Sequence, residues 1–398
     1  MALSKIDVAN MVTGATPVAN GGTGQTTFAA AGLDKRPNAK PIIVNGNMAV
    51  AQRSTSVTSQ NTAGYKTVDR MYANIDSAGS YTVIQESLTS GNAYNNGFKK
   101  AFRLDCTTAD ASLAADNNLI LFYFLEGQDL QMIKKGTSNA EKLTLSFWVK
   151  SNKTGTAQVN LVDNDNSRIC GATYTISSAN TWEQKVVNYA ADTTGAFDND
   201  NNKSLTIEWF LDSGSNYSGG AVPTAWEASS NSDRDQGNLD IAGSTDNDFA
   251  ITGIQLEVGE YSSTTLPPFQ HESYGDNLKR CQRYFEMSFE YGTAPAAGTA
   301  APDGRVFGSW DGNSARTQID WKVTKRAAPT VTVYRGSNTG SGTGTGTANF
   351  IYGGSWNNHT CTANNADDSH CSLTGSTSNF TTNAAHVADL NFTADAEL

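Results

Sequence analysis

Several short stretches of the chain alternate apolar and polar residues with a period of two, the pattern of strands that bury one face in a sheet. The alternation is clearest in KLTLSFWVKS (142–151) and SLTIEWFLD (204–212), where every second residue is apolar. Phe147 and Trp209 belong to these apolar positions, so both are predicted to lie in a core. LILFYFL (119–125) is apolar throughout and has the length of a buried strand.

Three further stretches predict irregular or helical structure. In DFAITGIQLEVG (248–259) the apolar positions change phase near Gly253, which indicates a β-bulge. EGQDLQMIKKG (126–136) is predicted to be a short helix that ends at its glycine. YGDNLKRCQRYFE (274–286) is predicted to be a second helix, with Asp276 in its first turn.

The composition agrees with many strands and turns. Of 398 residues, 38% are hydrophobic, only 17% are charged and 36 are glycines. A helix bundle would need more leucine, alanine, glutamate, lysine and arginine. The predicted fold class is therefore all-β: an antiparallel jelly-roll β-sandwich followed by a second β-rich C-terminal domain, preceded by a short N-terminal segment.

Changes of composition along the chain predict where the domains begin and end. Residues 1–40 have no core of their own. The jelly-roll domain is predicted over residues 41–270 and a helical connector over residues 271–286. A C-terminal β-sandwich is predicted over residues 287–398, where loops rich in glycine and threonine separate the apolar stretches.

A glycine-rich stretch near the start, VANGGTGQTT (18–27), raises the question of a phosphate-binding loop. The G-x-x-x-x-G-K-[ST] loop requires lysine after its second glycine, but Gln25 follows Gly24, and Ala19 stands where the first glycine is required. The stretch is therefore interpreted as a polar turn from Asn20 to Gly24 that leads into one short helix.

Charge and hydropathy exclude two classes of partner. The net charge of −11 argues against nucleic acid, because no basic cluster is present to neutralise phosphates. No apolar run approaches the roughly 20 residues that cross a bilayer, so no membrane insertion is expected. No secretory signal follows the initial MALSKIDVAN, and we therefore expect the chain to fold in a cytoplasm.

Cysteines and acidic runs give no clear metal motif. Cys361 and Cys371 lie in one polar stretch interpreted as a loop, where either a disulfide or a reduced pair is compatible with the sequence. The histidines beside them have spacings that match no zinc motif. DNDNN (198–202) lacks the following Gly and Glu of a calcium loop, and it and DNDN (163–166) are interpreted as solvated turns. No metal and no cofactor are expected.

Four pieces of the chain resemble a family of phage and prophage structural proteins. They are IIVNGNMAVAQRSTSVT…YKTVDRM, FLEGQDLQMIKKGTSNAEKLTLSFWVKS, NTWEQKVV and ITGIQLEVGEYSSTTLPPFQHESYGDNLKRCQRYFE, and their order and spacing match over residues 41–286. VANGGTGQTTFAAAGL resembles the Gly-Gly-Thr-Gly segment common in bacteriophage tail fibres. WKVTKRAAPTVTVY resembles the start of the β-rich region that often follows in these proteins.

The resemblance implies a virion protein whose sandwich is similar to jelly-roll carbohydrate-binding modules. It implies a homotrimer, because fibres of this kind are commonly trimers, and it implies attachment to other phage tail proteins through the N-terminal segment. The candidate attachment residues are Asn20, Gly21, Gly22, Thr23 and Gly24. The expected location is the virion tail, after synthesis in the host cytoplasm.

Saccharide recognition needs flat aromatic faces for the apolar side of a sugar ring, with amides and carboxylates for its hydroxyls. Four aromatic residues in polar surroundings are candidates for ligand contact: Trp226, Tyr217, Trp310 and Trp356. Each has an alternative role in packing, because large aromatic side chains are usually mostly buried.

The sequence therefore favours adhesion: a tail-fibre-like protein attached to the particle by its N-terminus that binds bacterial surface glycan. A purely structural appendage or decoration protein of tail or head is the first alternative. A glycan-degrading depolymerase is the second. An enzyme is not favoured, because no G-x-S-x-G motif is present and acidic pairs lie only in polar loops.

Overall fold

The computed structural model describes residues 40–299, 305–309, 311–336, 345–352 and 354–398. The strands of the first domain are β1 (Ser56–Gln60), β2 (Gly64–Tyr65), β3 (Tyr72–Asp76), β4 (Ser80–Ser87), β5 (Lys100–Thr108), β6 (Asn118–Glu126), β7 (Leu143–Ser151), β8 (Gly155–Asp163), β9 (Arg168–Ile176), β10 (Glu183–Tyr189), β11 (Lys203–Ser213), β12 (Glu227–Ala228) and β13 (Asp248–Val258). They form an antiparallel sandwich. One sheet has the order β1-β4-β5-β13-β7-β10, and the other has the order β12-β9-β8-β11-β6-β3-β2.

The period-two pattern correctly identifies the side chains that lie between the two sheets. Phe147 on β7 and Trp209 on β11 are fully buried there, with ring centroids 5.8 Å apart. Leu121 and Tyr123 on β6 belong to the same core. The predictions of an all-β fold with a sandwich at its first domain are confirmed.

The predicted bulge in β13 is also confirmed. The register against β7 shifts between Thr252 and Gln255, and Gly253 has a φ of +62°. A Cβ at that position would lie 2.6 Å from Cζ of Phe98 and 2.9 Å from Cδ1 of Trp148. Glycine is needed here both for the left-handed backbone and for the space that the two rings occupy.

The prediction of a helix over residues 126–136 is wrong. Two 3₁₀ turns, Gly127–Asp129 and Gln131–Ile133, occupy the stretch and end at Lys134, which has a φ of +55°. The reason lies in the backbone hydrogen bonds: the amides of Leu130, Ile133 and Lys134 donate to carbonyls three residues back, and the amide of Gly136 donates to the carbonyl of Asp192 in a neighbouring loop at 2.9 Å. The segment therefore stays in 3₁₀ turns, and the left-handed backbone of Lys134 ends them before a regular α-helix forms.

Two short α-helices are present in the described ranges, α1 (Asn92–Asn95) and α2 (Tyr274–Gln282). The second is predicted, and the hydroxyl of Ser273 caps it by accepting from the amide of Asp276 at 3.2 Å. It ends before residue 286 because Phe285–Met287 already pairs as a strand. No helix in the described ranges is long and apolar enough to span a membrane.

The second domain contains β14 (Phe285–Met287), β15 (Arg305–Ser309), β16 (Ser314–Asp320), β17 (Thr330–Arg335), β18 (Thr347–Tyr352), β19 (Ser355–Asn364), β20 (His370–Ser376) and β21 (Ala384–Asp395). It is β-rich as predicted, but its sheet closes into a barrel instead of forming a second sandwich. The first part of β21 pairs with β15 on one side and β18 on the other, which joins the two ends of the sheet. The rest of β21 continues beyond the barrel and pairs with β14 and β17.

Buried ion pairs fasten the two domains to each other. Glu397, just after β21, forms ion pairs with Arg70 and Arg53 of the first domain. The Arg53 pair has an N–O distance of 3.3 Å. The side chains of Arg70 and Glu397 are only 1% and 5% exposed. Arg283, just after α2, donates to both carboxylate oxygens of Glu126 at 2.9 and 2.7 Å. Removing one partner of such a pair would leave a buried charge uncompensated, so the loss of either partner is expected to be destabilising.

Candidate functional site

A groove of about 390 Å³ lies on the outer face of the seven-stranded sheet, over β3, β6 and β11. Side chains alternate along a strand, so the residues between core positions point outward here. The outer groove is lined by Tyr72, Asn74, Phe122, Phe124, Asn164, Lys203, Thr206, Glu208, Arg234 and Leu398. Aromatic and polar groups therefore share one concave surface.

Aromatic rings form the floor of the outer groove. Phe122 on β6 stands directly opposite Tyr72 on β3 and, on its other side, opposite Glu208 on β11. The ring centroids of Tyr72 and Phe122 are 6.1 Å apart, and Phe122 stacks on Phe124 at 5.6 Å with an interplanar angle of 28°. Tyr72 and Phe122 are partly exposed while Phe124 is buried. The floor is thus an apolar platform of neighbouring rings.

A bidentate ion pair stands beside this floor. Nη2 and Nε of Arg234 donate to the two carboxylate oxygens of Glu208, at 2.7 and 3.1 Å. Nη1 of Arg234 donates to Asn231 at 3.1 Å, and the guanidinium lies 5.2 Å from the ring centroid of Phe210. The pair presents fixed hydrogen-bonding groups next to the aromatic platform.

Arg234 lines the groove from the loop of residues 214–236, called the wall loop, which also carries Trp226 and β12 at the opposite edge of the sheet. Gln158 and Asn160 on β8 donate to its main-chain carbonyls at 2.8 and 2.9 Å. Asp235 is buried at its base, where its carboxylate accepts from the hydroxyl of Ser213 at 2.8 Å. Burial raises the pKa of Asp235 to about 6. The wall is therefore held against the sheet by specific polar contacts.

Tyr217 is the predicted ligand residue that lies nearest to the outer groove. Its ring packs against Phe210 at 5.7 Å, and Arg234 lies 5.6 Å from its centroid. Its hydroxyl accepts a hydrogen bond from Asn118 at 3.0 Å. These contacts support the wall, and a contact between Tyr217 and a ligand stays a prediction.

Trp226 lies at the opposite edge of the same sheet, just before β12. Its indole nitrogen donates to the carbonyl of Ala190 at 2.8 Å, and its ring packs against the sandwich core. The ammonium of Lys135 lies 5.0 Å from the ring centroid. Several strands separate Trp226 from Tyr72, so it contributes nothing to the floor of the outer groove.

The acidic turn 163–166 beside Trp226 is not solvated at its first residue, which corrects the interpretation from sequence. The side chain of Asp163 is fully buried and pairs with Lys135. It also accepts from the amides of residues 165 and 166, each at 3.0 Å. The aspartate is needed to hold the turn around a buried ammonium, a partner 28 residues away in the sequence.

Trp356 lies on the outside of the barrel, in a row of apolar residues called the exterior row. The row crosses four strands as direct cross-strand neighbours: Val306 opposite Val387, Val387 opposite Ile351, and Ile351 opposite Trp356. Val306 and Val387 are 60% and 37% exposed. The exterior row is therefore a continuous line of apolar residues, with its most exposed members on β15 and β21.

Trp310 and the candidate attachment residues Asn20, Gly21, Gly22, Thr23 and Gly24 lie outside the described residues. The structure therefore brings none of the four predicted aromatic residues together with another at one site within the part that it describes.

Cys361 and Cys371 do not lie in a loop, as the sequence suggested. They are free, buried thiols on β19 and β20, inside the barrel. Burial raises their pKa values to about 12 and about 11. Across the described residues, no group of three His, Cys, Asp or Glu side chains is placed to hold a metal ion.

A larger cleft of about 640 Å³ lies between the two domains. Arg53 on its surface is paired with Asp395 at 3.4 Å and Glu397 at 3.3 Å, and its guanidinium lies 3.6 Å from the ring centroid of Phe285. These groups pair with one another across the cleft. The outer groove, with a partly exposed aromatic floor, is the better candidate for a ligand site.

Sequence reasoning missed Tyr72, Phe122, Glu208 and Arg234. A signal for two of them was present, because Phe122 and Glu208 occupy the phase opposite to the core positions of their strands. An aromatic residue in an outward phase is the feature to look for. Tyr72 joins them only through the pairing of β3 with β6, which the sequence does not show.

No family model matches the chain, and no curated protein matches it. Among solved structures, a putative sugar-binding protein from Bacteroides thetaiotaomicron is similar at 13% identity, with 55% of this chain and 100% of that chain covered and a TM-score of 0.30. The family 11 carbohydrate-binding module of a Clostridium thermocellum cellulase is similar at 10% identity, with 53% and 98% covered and a TM-score of 0.24.

The enzymatically active domain of tailspike protein 4 of bacteriophage CBA120 is also similar, at 10% identity, with 55% of this chain covered and a TM-score of 0.25. The matched part spans only 21% of the length of that tailspike domain. All three TM-scores are below 0.5, so function does not follow from these likenesses. The fold assignment rests on the strand order and registers of the chain itself.

Proposed function

We propose that this protein is a tail-fibre-like phage virion protein that binds glycan on the bacterial surface through the outer groove. The observation that carries the proposal is the partly exposed aromatic pair Tyr72 and Phe122 beside the ion pair of Glu208 and Arg234. Aromatic rings pack against the apolar face of a pyranose, and fixed carboxylate and guanidinium groups bind its hydroxyls.

The groove is open and small, which suits weak binding to one or two sugar units of a long chain. Several copies on one particle would make such weak contacts effective, because each bound copy raises the local concentration of the next. The proposed homotrimer and the proposed attachment to other tail proteins through residues 1–40 provide these copies. Both rest on the resemblance of VANGGTGQTT and of the four pieces within residues 41–286 to phage structural proteins.

A polysaccharide array tests the binding. The full chain is applied to immobilised bacterial capsular polysaccharides and lipopolysaccharide O-chains, beside the variants Tyr72→Ala and Phe122→Ala. Each substitution is expected to weaken retention about tenfold, because each removes one ring of the platform. Tyr274→Ala is the matched control, since Tyr274 is 53% exposed on α2 and does not line the groove.

The outcomes separate the alternatives. Retention that falls in both groove variants, while circular dichroism shows that both remain folded, supports the proposal. No retention of any polysaccharide or of whole cells by the wild type would contradict it and favour a structural appendage. Release of new reducing ends from a retained polysaccharide would favour a depolymerase.

A further inference from the structure

The charged side chains that line the outer groove do not balance one another. Of its lining side chains, Lys203, Glu208 and Arg234 carry charge. Arg234 is bonded to both carboxylate oxygens of Glu208, whose side chain is only 5% exposed. These two opposite charges offset each other, which leaves the exposed Lys203 as the uncompensated side-chain charge.

A β-bulge directs Lys203 into the groove. Lys203 is opposite Glu126 on β6, while Leu205 is opposite Leu125, so Ser204 is the extra residue. In regular alternation Lys203 would share the inward phase of Leu205, whereas the bulge re-aims it outward. Its ammonium lies 4.8 Å from the ring centroid of Phe124, at the edge of the aromatic floor.

Within the described part of the chain Lys203 forms no ion pair, and the two carboxylates of this part of the sheet, Glu126 and Glu208, are bonded by Arg283 and Arg234. Its cross-strand neighbour Glu126 is fully buried and is bonded by Arg283 at 2.7 and 2.9 Å. In a chain with 39 acidic and 28 basic residues, an exposed ammonium that is not paired with a carboxylate and lies beside an aromatic platform is a ready site for an anion.

We propose that the outer groove selects a saccharide that carries a carboxylate, which Lys203 binds while Tyr72 and Phe122 pack against the sugar ring. The inference rests on the proposed glycan binding and adds the class of glycan. Lys203 acts as a specificity-determining residue. The Glu208–Arg234 pair contributes hydrogen bonds to hydroxyls and no net charge.

The test compares acidic polysaccharides with their neutral counterparts. Polygalacturonate, alginate and hyaluronan are immobilised beside the same three polymers after reduction of their carboxyl groups to alcohols. The full chain is expected to bind at least one acidic polymer and to bind its reduced form at least tenfold more weakly. Lys203→Met should lose this preference, and Lys203→Arg should keep it. The preference should also decline as salt rises, because the ammonium is exposed.

Lys99→Met is the matched control. Lys99 is also exposed, and its ammonium also lies over an aromatic ring, 3.2 Å from the ring centroid of Tyr94 on α1. Lys99 does not line the groove, so its variant should behave as the wild type.

Four results would overturn the inference. Equal binding of acidic and reduced polymers would show that the carboxylate is not selected. An unchanged preference in Lys203→Met would show that Lys203 does not select it. Neither result would contradict the proposed glycan binding. Binding to reduced polymers alone would likewise show that the carboxylate is not selected. Binding to none of the six polymers overturns the inference, and the array of bacterial polysaccharides then decides separately whether glycan binding itself fails.

Discussion

Arg234 reaches from the wall loop across to β11 and bonds to both carboxylate oxygens of Glu208, at 2.7 and 3.1 Å. Because Glu208 is almost fully buried, removing the guanidinium should leave an uncompensated charge. We expect Arg234→Met to lower the free energy of unfolding by about 3 kcal/mol, measured by urea denaturation. Adding Glu208→Met should recover part of the loss, because the buried charge is then gone.

A surface ion pair provides the control for this prediction. Lys134 and Glu141 are bonded at 2.6 Å, but their side chains are 52% and 37% exposed. Lys134→Met should change the free energy of unfolding by less than about 1 kcal/mol. Equal effects of Arg234→Met and Lys134→Met would show that the wall loop is not held by this pair.

The bulge at Gly253 gives a second prediction. Gly253→Ala introduces a Cβ within 3 Å of Phe98 and Trp148 at a residue with a positive φ. We expect a loss of about 2–4 kcal/mol in the free energy of unfolding, from steric overlap and backbone strain together. Gly275→Ala is the opposite case, since nothing lies within 4 Å of its Cβ and it sits in α2. That variant should be unchanged or more stable by up to about 1 kcal/mol.

The pKa of Asp235 predicts a pH dependence of stability. Burial raises this pKa from 3.8 to about 6, so between these values the folded protein holds a proton that the unfolded chain has released. The contribution of Asp235 to stability is therefore fully present below the unfolded pKa and is lost as the pH rises through about 6. Asp235→Asn keeps the size of the side chain and should flatten this part of the profile.

The measurement is the free energy of unfolding at pH values from about 4 to 7, in wild type and Asp235→Asn. The difference between the two proteins is the informative quantity, because burial also raises the pKa of Asp69 to about 6. Parallel profiles would mean that Asp235 ionises normally and that the base of the wall loop is open to water.

Much of the first domain follows from the sequence because strands alternate regularly. The buried positions of β7 and β11 and the bulge at Gly253 depend on local pattern alone. The stretch 126–136 has the local pattern of a helix, but its amides bond to a loop at residues 200–202, a contact without local signal. Barrel closure by β21 is likewise a long-range pairing.

The outer groove is harder to predict for the same reason. Tyr72 and Phe122 are 50 residues apart in the sequence and become neighbours through the register of β3 against β6. Lys203 reaches the groove only because Ser204 is bulged, and strict alternation would place it inward. The tryptophans predicted as ligand contacts stand in polar stretches of the sequence, whereas the partly exposed rings of the groove stand on apolar strands.

The five cysteines give a direct chemical prediction. All five are free and buried, and burial raises the pKa of Cys361 to about 12 and of Cys371 to about 11. We expect almost no reaction of the native protein with a thiol reagent at about pH 8, because the reactive thiolate is neither exposed nor formed. Five thiols should react after unfolding without reductant. A count lower by two would indicate a disulfide between Cys361 and Cys371.

The exterior row of the barrel predicts where copies of the proposed homotrimer meet. Val306 is 60% exposed and stands opposite Val387 in a row without charged residues, a surface that is costly to leave in water. We expect light scattering of the full chain to give three times the mass of one chain. Val306→Glu should lower that mass, because a charge would have to be buried between copies. Met132→Glu, at a side chain that is 43% exposed on the first domain, should leave it unchanged. A wild-type monomer would contradict the trimer. If the trimer persists in Val306→Glu, the contacts between copies do not involve the exterior row of the barrel.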